Sequence, residues 1–251
     1  MSNLSDASML QILCTTDLAP ISRAASALSP WDLACGGPSA VRAVRADLGP
    51  VTPATALVAS ASQVLASGRV PLIVGAGLCA LVEAVGEPVG VLHLAAEPQL
   101  GDGERGSALL SSAAVSRIVG VGYRHGRAAD VIRSKAAPRH FPFWDHELAL
   151  RRAEGASWKR LCEGMIAVLP QRVVVGVELS GLSPSVCPGA GAPLGGLSWA
   201  ELAVLLWLLG ERKAVVGLSL RWCEAADPSG QVGAELLQKL AGCAQRSRAG
   251  R

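Results

Sequence analysis

The chain has 251 residues, of which 50% are apolar and 17% charged, with a formal net charge of +3. That apolar content suits one large core, and the positive charge is too sparse for the clustered basic face that nucleic acid requires. The longest apolar runs, 70–82 and 202–209, fall short of the roughly 20 residues of a membrane helix, so neither nucleic acid nor membrane is an expected partner.

Residues 1–8 carry no basic n-region and no apolar core of a secretory leader, which makes the cytoplasm the expected location. The seven cysteines are scattered and form no Cys-x-x-Cys pair, as expected of reduced, mostly buried thiols. Residues 10–14 predict a first strand. From Trp31 the chain reads as a Gly-Pro turn entering a helix, with Pro38 at its start. Residues 55–67 predict a helix, 70–75 a buried strand, 78–85 a short helix and 89–94 another strand. A strand over 118–123 ends at Arg124-His125-Gly126. One helix is predicted over 145–168, with Phe141-Pro-Phe-Trp as its lead-in, then a strand over 172–179. An amphipathic helix over 199–209, a strand over 213–220 and a closing helix over 233–244 complete the pattern. Strand-length apolar runs alternating with helical periods predict a three-layer α/β/α fold with a central, mainly parallel sheet. Residues 1–251 read as one domain, and the basic residues Lys239, Arg246, Arg248 and Arg251 predict a flexible, solvated tail over 245–251.

The most informative stretch is Val175-Gly-Val-Glu-Leu-Ser-Gly-Leu-Ser-Pro-Ser-Val-Cys-Pro-Gly-Ala-Gly-Ala-Pro-Leu-Gly-Gly-Leu-Ser198. A buried run enters a loop dense in Pro and Gly, and Gly195-Gly-Leu-Ser198 closes it before a helix. This wording resembles the ureohydrolase superfamily of arginases, agmatinases and formiminoglutamases. Strand, Asp-x-Asp, Leu-Asp-Pro-Ser, Pro-Gly-x-Gly-x-Pro and Gly-Gly-Leu-Ser/Thr follow there in the same order. Leu182, Pro184, Ser185, Pro188, Gly189, Gly191 and Pro193 match it. Gly36-Gly-Pro-Ser-Ala-Val-Arg42, the strands before Gly75 and Ala95, Arg124 and Asp227-Pro-Ser-Gly230 extend the likeness over about residues 31–230.

The resemblance implies an arginase-like fold, oligomeric assembly and a pair of Mn²⁺ ions at the strand ends, sharing the hydroxide that attacks a guanidinium carbon. It also implies where the ligands belong. The first His falls on Leu78, with Gly77 in place of the preceding Asp and Cys79 in place of the following Ser. The Asp-Ala-His-x-Asp group falls on Ala95, Glu97 and Gln99, and the Asp-x-Asp on Glu178 and Ser180. The Glu that orients the guanidinium falls near Arg221 or Trp222. Only Glu97 and Glu178 retain a charged oxygen. The expectation is therefore a degenerate pocket without catalytic residues, metal or other cofactor, smaller and drier than its relatives and lined by Val, Leu and Ala. The expected role is a pseudoenzyme: a partner subunit in a homo-oligomer or beside an active paralogue, a regulator, or a small-molecule sensor.

Two alternatives stay open. His93, Glu97 and Glu178, with Cys79, offer donors for a rebuilt single-metal site that hydrolyses C–N bonds of linear amidines, since His93, Ala95 and Glu97 share one face of a strand. Against it, a lone His in an apolar strand is usually a satisfied core residue. Gly75-x-Gly77-x-x-Ala80 after a strand, with Glu97 ending the next, also fits a dinucleotide fingerprint. His125, His140 and His146 lack metal-ligand spacing and read as surface or capping residues. The six tryptophans read as packing anchors or a subunit interface.

Overall fold

The computed structural model describes residues 10–28, 31–32, 37–38, 44–47, 53–98, 107–222 and 224–249. In chain order these form β1 (Leu10–Cys14), α1 (Ala19–Ala27), β2 (Trp31–Asp32), β3 (Gly37–Pro38), β4 (Val44–Asp47), α2 (Ala54–Ala66), β5 (Val70–Val74), α3 (Leu78–Val85) and β6 (Val89–Leu94). There follow α4 (Ser107–Ser111), β7 (Val115–Tyr123), α5 (Ala128–Ala136), β8 (His140–Trp144), α6 (Asp145–Ala153), α7 (Trp158–Val168), β9 (Arg172–Glu178), α8 (Trp199–Arg212), β10 (Ala214–Arg221) and α9 (Gln231–Ala249).

Eight strands make one sheet in the order β4-β1-β5-β10-β9-β6-β7-β8, and every neighbouring pair runs parallel. The alternation of side chains sorts two apolar layers. Leu72, Val74, Val173, Val175 and Val177 face α1, α7, α8 and α9, while Ile73, Val91 and Val174 face α2, α3 and α4. Helices on both faces explain why the central strands are apolar at nearly every position. The expected three-layer α/β/α fold is present. Among the described residues, no helix is long and apolar enough to cross a membrane.

Several local expectations are corrected. The helix expected over 145–168 is two helices: Gly155 takes a φ of +93°, and the Ser157 side chain caps α7 by accepting from the Arg160 N–H. Pro38 does not start a helix but lies in β3, paired antiparallel with β2; the helical part expected after it lies outside the described residues. The solvated tail over 245–251 is, as far as Ala249, the last turns of α9. Ser247 there is buried, and the Arg246 guanidinium stacks 4.0 Å from the centre of the Trp207 ring. The described cysteines are unbridged.

The Gly195-Gly-Leu-Ser198 segment starts α8 through a capping box. The Ser198 hydroxyl accepts from the Glu201 N–H at 3.3 Å, and the Glu201 carboxylate accepts from the Ser198 N–H at 2.8 Å. Replacing Ser198 by Ala should cost about 1 kcal/mol, read as a fall of about 2–4 °C in thermal midpoint. A variant that melts with the parent would show that the box does not hold the helix start.

Candidate functional site

Parallel strands bring their C-terminal ends to one edge of the sheet, which is where open α/β sheets bind ligands. Just beyond β6 come Ala96 and Glu97, beyond β7 His125, at the end of β9 Glu178 with Ser180 following, and at the end of β10 Arg221 and then Trp222. With Leu179, the 190–193 segment and Ala226 they line a cleft of about 490 Å³.

A chain of polar contacts crosses its floor. The Tyr123 hydroxyl lies 2.8 Å from His93 Nδ1. His93 Nε2 lies 3.4 Å from Glu178 Oε1, and Arg221 Nη1 donates to the same oxygen at 3.4 Å. Ser180 donates to the other carboxylate oxygen at 3.5 Å. A carboxylate only accepts, so His93 presents an N–H at Nε2, and a neutral ring then accepts the Tyr123 proton at Nδ1. Burial pushes the Glu178 carboxyl up, but the hydrogen bonds and charges of His93 and Arg221 outweigh it, and the net shift is downward. Burial, then the Glu178 charge, pushes the Tyr123 phenol well above its ordinary range, so Tyr123 stays protonated.

The loop that closes the cleft is held by Arg124. Its Nε donates to the Pro193 carbonyl at 2.8 Å, Nη1 to Gly122 at 3.1 Å, and Nη2 to Ser180 at 2.8 Å and Leu182 at 3.1 Å. The fork of a guanidinium is suited to this, with donors fixed in one plane. Gly196 permits the approach: its φ is +84°, and a Cβ there would fall 2.7 Å from Arg124 Nη1. Its N–H donates to Asp145 at 3.1 Å, which ties α6 to the same loop. Burial pulls the Arg124 guanidinium below its ordinary value while Asp145 acts the other way. These contacts make Arg124 a support of the fold.

The positions picked from sequence divide. Glu97, Glu178 and Ser180 line the cleft. Glu97 turns to His125 Nε2 at 3.5 Å on the exposed rim. Leu78 is elsewhere, packed over Gly176 so closely that a Cβ there would lie 2.7 Å from it. Ala95 is fully buried against Tyr123 and Trp144, Gly77 precedes α3 as its cap, and Gln99 lies outside the described residues. The expected dry, aliphatic cleft is thus corrected: Leu78, Cys79 and Ala95 do not line it, and Glu97, His125, Glu178, Ser180 and Arg221 do.

The weak metal candidates meet only in part. His93 and Glu178 are together, but Glu97 faces His125 and the His93 nitrogens are engaged on both sides. Among the described residues, no three His, Cys, Asp or Glu side chains converge as a metal site. A pair of divalent cations does not fit these donors: Ser180 is neutral, Leu78 and Ala95 offer no donor, and a guanidinium already faces Glu178. The dinucleotide alternative is corrected by topology. β10 and β9 stand between β5 and β6, so Glu97 does not end the strand next to Gly75. Both glycines are filled from within: a Cβ would meet Thr15 Oγ1 at 2.0 Å at Gly75 and Ile73 Cγ2 at 2.3 Å at Gly77.

Sequence reasoning missed Tyr123, whose signal is Gly120. A Cβ there would lie 2.1 Å from the Tyr123 ring, so the glycine makes room for it. It also read His140 as a surface or capping residue. His140 is buried, with Nδ1 2.9 Å from the Ser134 hydroxyl and Nε2 without a partner among the described residues. Burial and then the neighbouring His93 push its pKa down to about 4, against an opposing hydrogen bond to the Ser134 backbone.

Two outcomes follow from this geometry. Arg124→Ala should lower stability by about 2–4 kcal/mol, because it leaves several partly buried carbonyls without donors. Arg124→Lys should not restore it, since an ammonium lacks the fork; equilibrium urea unfolding measures both, and full rescue by Lys would reduce the clamp to a charge effect. For His140, the unfolded ring takes its proton near 6.5 and the folded ring near 4. The unfolded state therefore binds more protons in between. Stability should fall as pH drops through this window, by on the order of 2–3 kcal/mol for this group, and be unaffected by it above the window. Unfolding curves of His140→Gln should show a shallower acid limb than the parent; identical limbs would assign the loss elsewhere.

No family model matches the chain. It is 32% identical over 93 residues to the N(1)-aminopropylagmatine ureohydrolase of Synechocystis sp., a match spanning 37% of this chain and 28% of that protein. Solved structures match nearly end to end at low identity. The proclavaminate amidino hydrolase of Streptomyces clavuligerus superposes with a TM-score of 0.79 at 15% identity, covering 96% of this chain and 92% of its own. The formiminoglutamase of Trypanosoma cruzi gives 0.77 at 17%, covering 98% and 96%, and the arginase of Bacillus cereus 0.73 at 16%, covering 94% and 97%. The clamped loop at the strand ends thus sits in a chain with the arginase-like α/β fold of the ureohydrolases.

Proposed function

We propose that this chain is a ureohydrolase-family homologue that has lost the dimanganese centre and acts, as one domain over 1–251, by binding a small molecule rather than by hydrolysis. The observation that carries the reading is the contact series Arg221–Glu178–His93–Tyr123. A guanidinium carbon is resonance-stabilised, and water at neutral pH attacks it only when a strong Lewis acid turns that water into hydroxide. The carboxylate best placed to hold such a cation already has a counter-charge in Arg221 on the neighbouring strand and a hydrogen-bonded imidazole in His93. Moving it to a metal would break both contacts and leave Arg221 facing the metal's like charge. The cleft remains open and of a size that suits a small ligand.

On this reading the protein is a cytoplasmic partner subunit or sensor, assembled as a homo-oligomer or beside an active paralogue, and takes no cofactor. The test is purification with added Mn²⁺, elemental analysis, and assays for urea or formamide release from arginine, agmatine, guanidinobutyrate and formiminoglutamate. The expected outcome is no stoichiometric metal and no release above the blank. Release that disappears with a chelator would replace this reading with that of a hydrolase of linear amidines.

A further inference from the structure

The lining of the cleft has two charged ends. On the floor, Arg221 stands at the end of β10 with 42% of its side chain exposed. The 190–193 segment lines the same cleft; there Ala190 ends a short 3-10 turn and Gly191 follows with a φ of +63° and a ψ of +13°. A right-handed residue followed by a left-handed one turns successive backbone N–H groups to one side, the arrangement of an anion-binding nest. The Gly191 N–H closes the 3-10 turn, and the Ala192 N–H has no acceptor among the described residues. On the rim, the Glu97 side chain is 46% exposed beside His125. Glu178, the other carboxylate of the lining, is 87% buried and directed at His93 and Arg221.

We propose that the cleft binds a small amino carboxylate, its carboxylate inward on Arg221 and the Ala192 N–H, its ammonium outward at Glu97. A planar guanidinium matches a carboxylate through paired N–H donors, and the Ala192 N–H supplies an uncharged donor to the same anion. A cationic group in that position would face Arg221 and the N–H dipole at once. The polarity is therefore fixed by the floor, and the rim selects for the second charge. The inference rests on the chain being a non-hydrolytic binder and names what it binds.

The experiment is calorimetric titration of the full chain in the presence of a chelator. The probes are glycine, 4-aminobutyrate and 6-aminohexanoate, with butyrate and butylamine as single-charge controls. At least one amino carboxylate should bind more tightly than butyrate, and butyrate more tightly than butylamine. Arg221→Gln should weaken every carboxylate by about tenfold or more. Glu97→Gln, on the exposed rim, should weaken the amino carboxylates and leave butyrate unchanged. Butylamine binding as tightly as butyrate, no binding by any carboxylate, or indifference to both substitutions overturns the inference. If Arg221→Gln does not fold by circular dichroism, the ranking on the parent chain and the Glu97→Gln arm decide alone. Absent carboxylate binding with a blank urea assay refutes the ligand class only; urea release refutes the reading beneath it.

Discussion

The Arg124 guanidinium collects carbonyl oxygens from the end of its own strand, from the turn after β9 and from the Pro-Gly loop. These segments are distant in sequence; Leu182 and Leu197 bury their side chains in the core and pair as a β-bridge, and the guanidinium satisfies carbonyls that this packing leaves open. Main-chain carbonyls near the protein surface are satisfied either by water or by a fixed donor. Here the donor is fixed, so the loop carrying Gly191 and Ala192 keeps a set height above the strand ends. The same loop reaches α6 through Gly196 and Asp145 and touches the 224–230 turn at Gly189, where a Cβ would lie 2.4 Å from the Ala226 carbonyl. These contacts define the position of the loop that lines the cleft.

Beneath the clamp the floor solves a different problem. A carboxylate withdrawn from water needs a counter-charge and hydrogen-bond donors. Glu178 obtains the charge from the strand beside it, in register, since Arg221 pairs with Glu178 across β10 and β9. It obtains a donor from β6 through His93, and Tyr123 on β7 orients His93 in turn. Four neighbouring strands each contribute one member. The polar network is thus as much a product of sheet order as the apolar layers are, and it puts the fit to a metal pair and the fit to an organic ligand in opposition.

The fold was legible in the sequence because central parallel strands bury both faces and leave unbroken apolar runs, as in β5 and β9. The elements that escaped notice lie toward the sheet edges or are short. β4 reads Val-Arg-Ala-Asp, and β8 contains a Pro that an edge strand tolerates. The break between α6 and α7 was written in Gly155 and Ser157, a left-handed glycine and a cap, but helical periodicity carried across them. At the site, Glu97, Glu178 and Ser180 were found from motif order. Leu78 and Ala95 were assigned to the lining because motif order does not say which way a side chain turns. Tyr123 and His140 form a buried polar pocket behind the cleft, with ring centroids 5.7 Å apart. Such a pocket comes from strands distant in sequence, and no spacing rule announces it.

The strand order has a consequence for how the chain comes into being. β5 and β6 follow one another in sequence, yet the two strands between them, β10 and β9, come from the last third of the chain. As the polypeptide leaves the ribosome, β4-β1-β5 and β6-β7-β8 emerge as two partial sheets, each with an inner edge of unpaired backbone groups. Neither edge meets its partner until β9 and β10 have been made, so the contacts that join the halves have large sequence separation and form late. A nascent chain stalled before β9 would hold two open sheet edges with nothing to close them, an aggregation hazard that belongs to the topology rather than to any one residue.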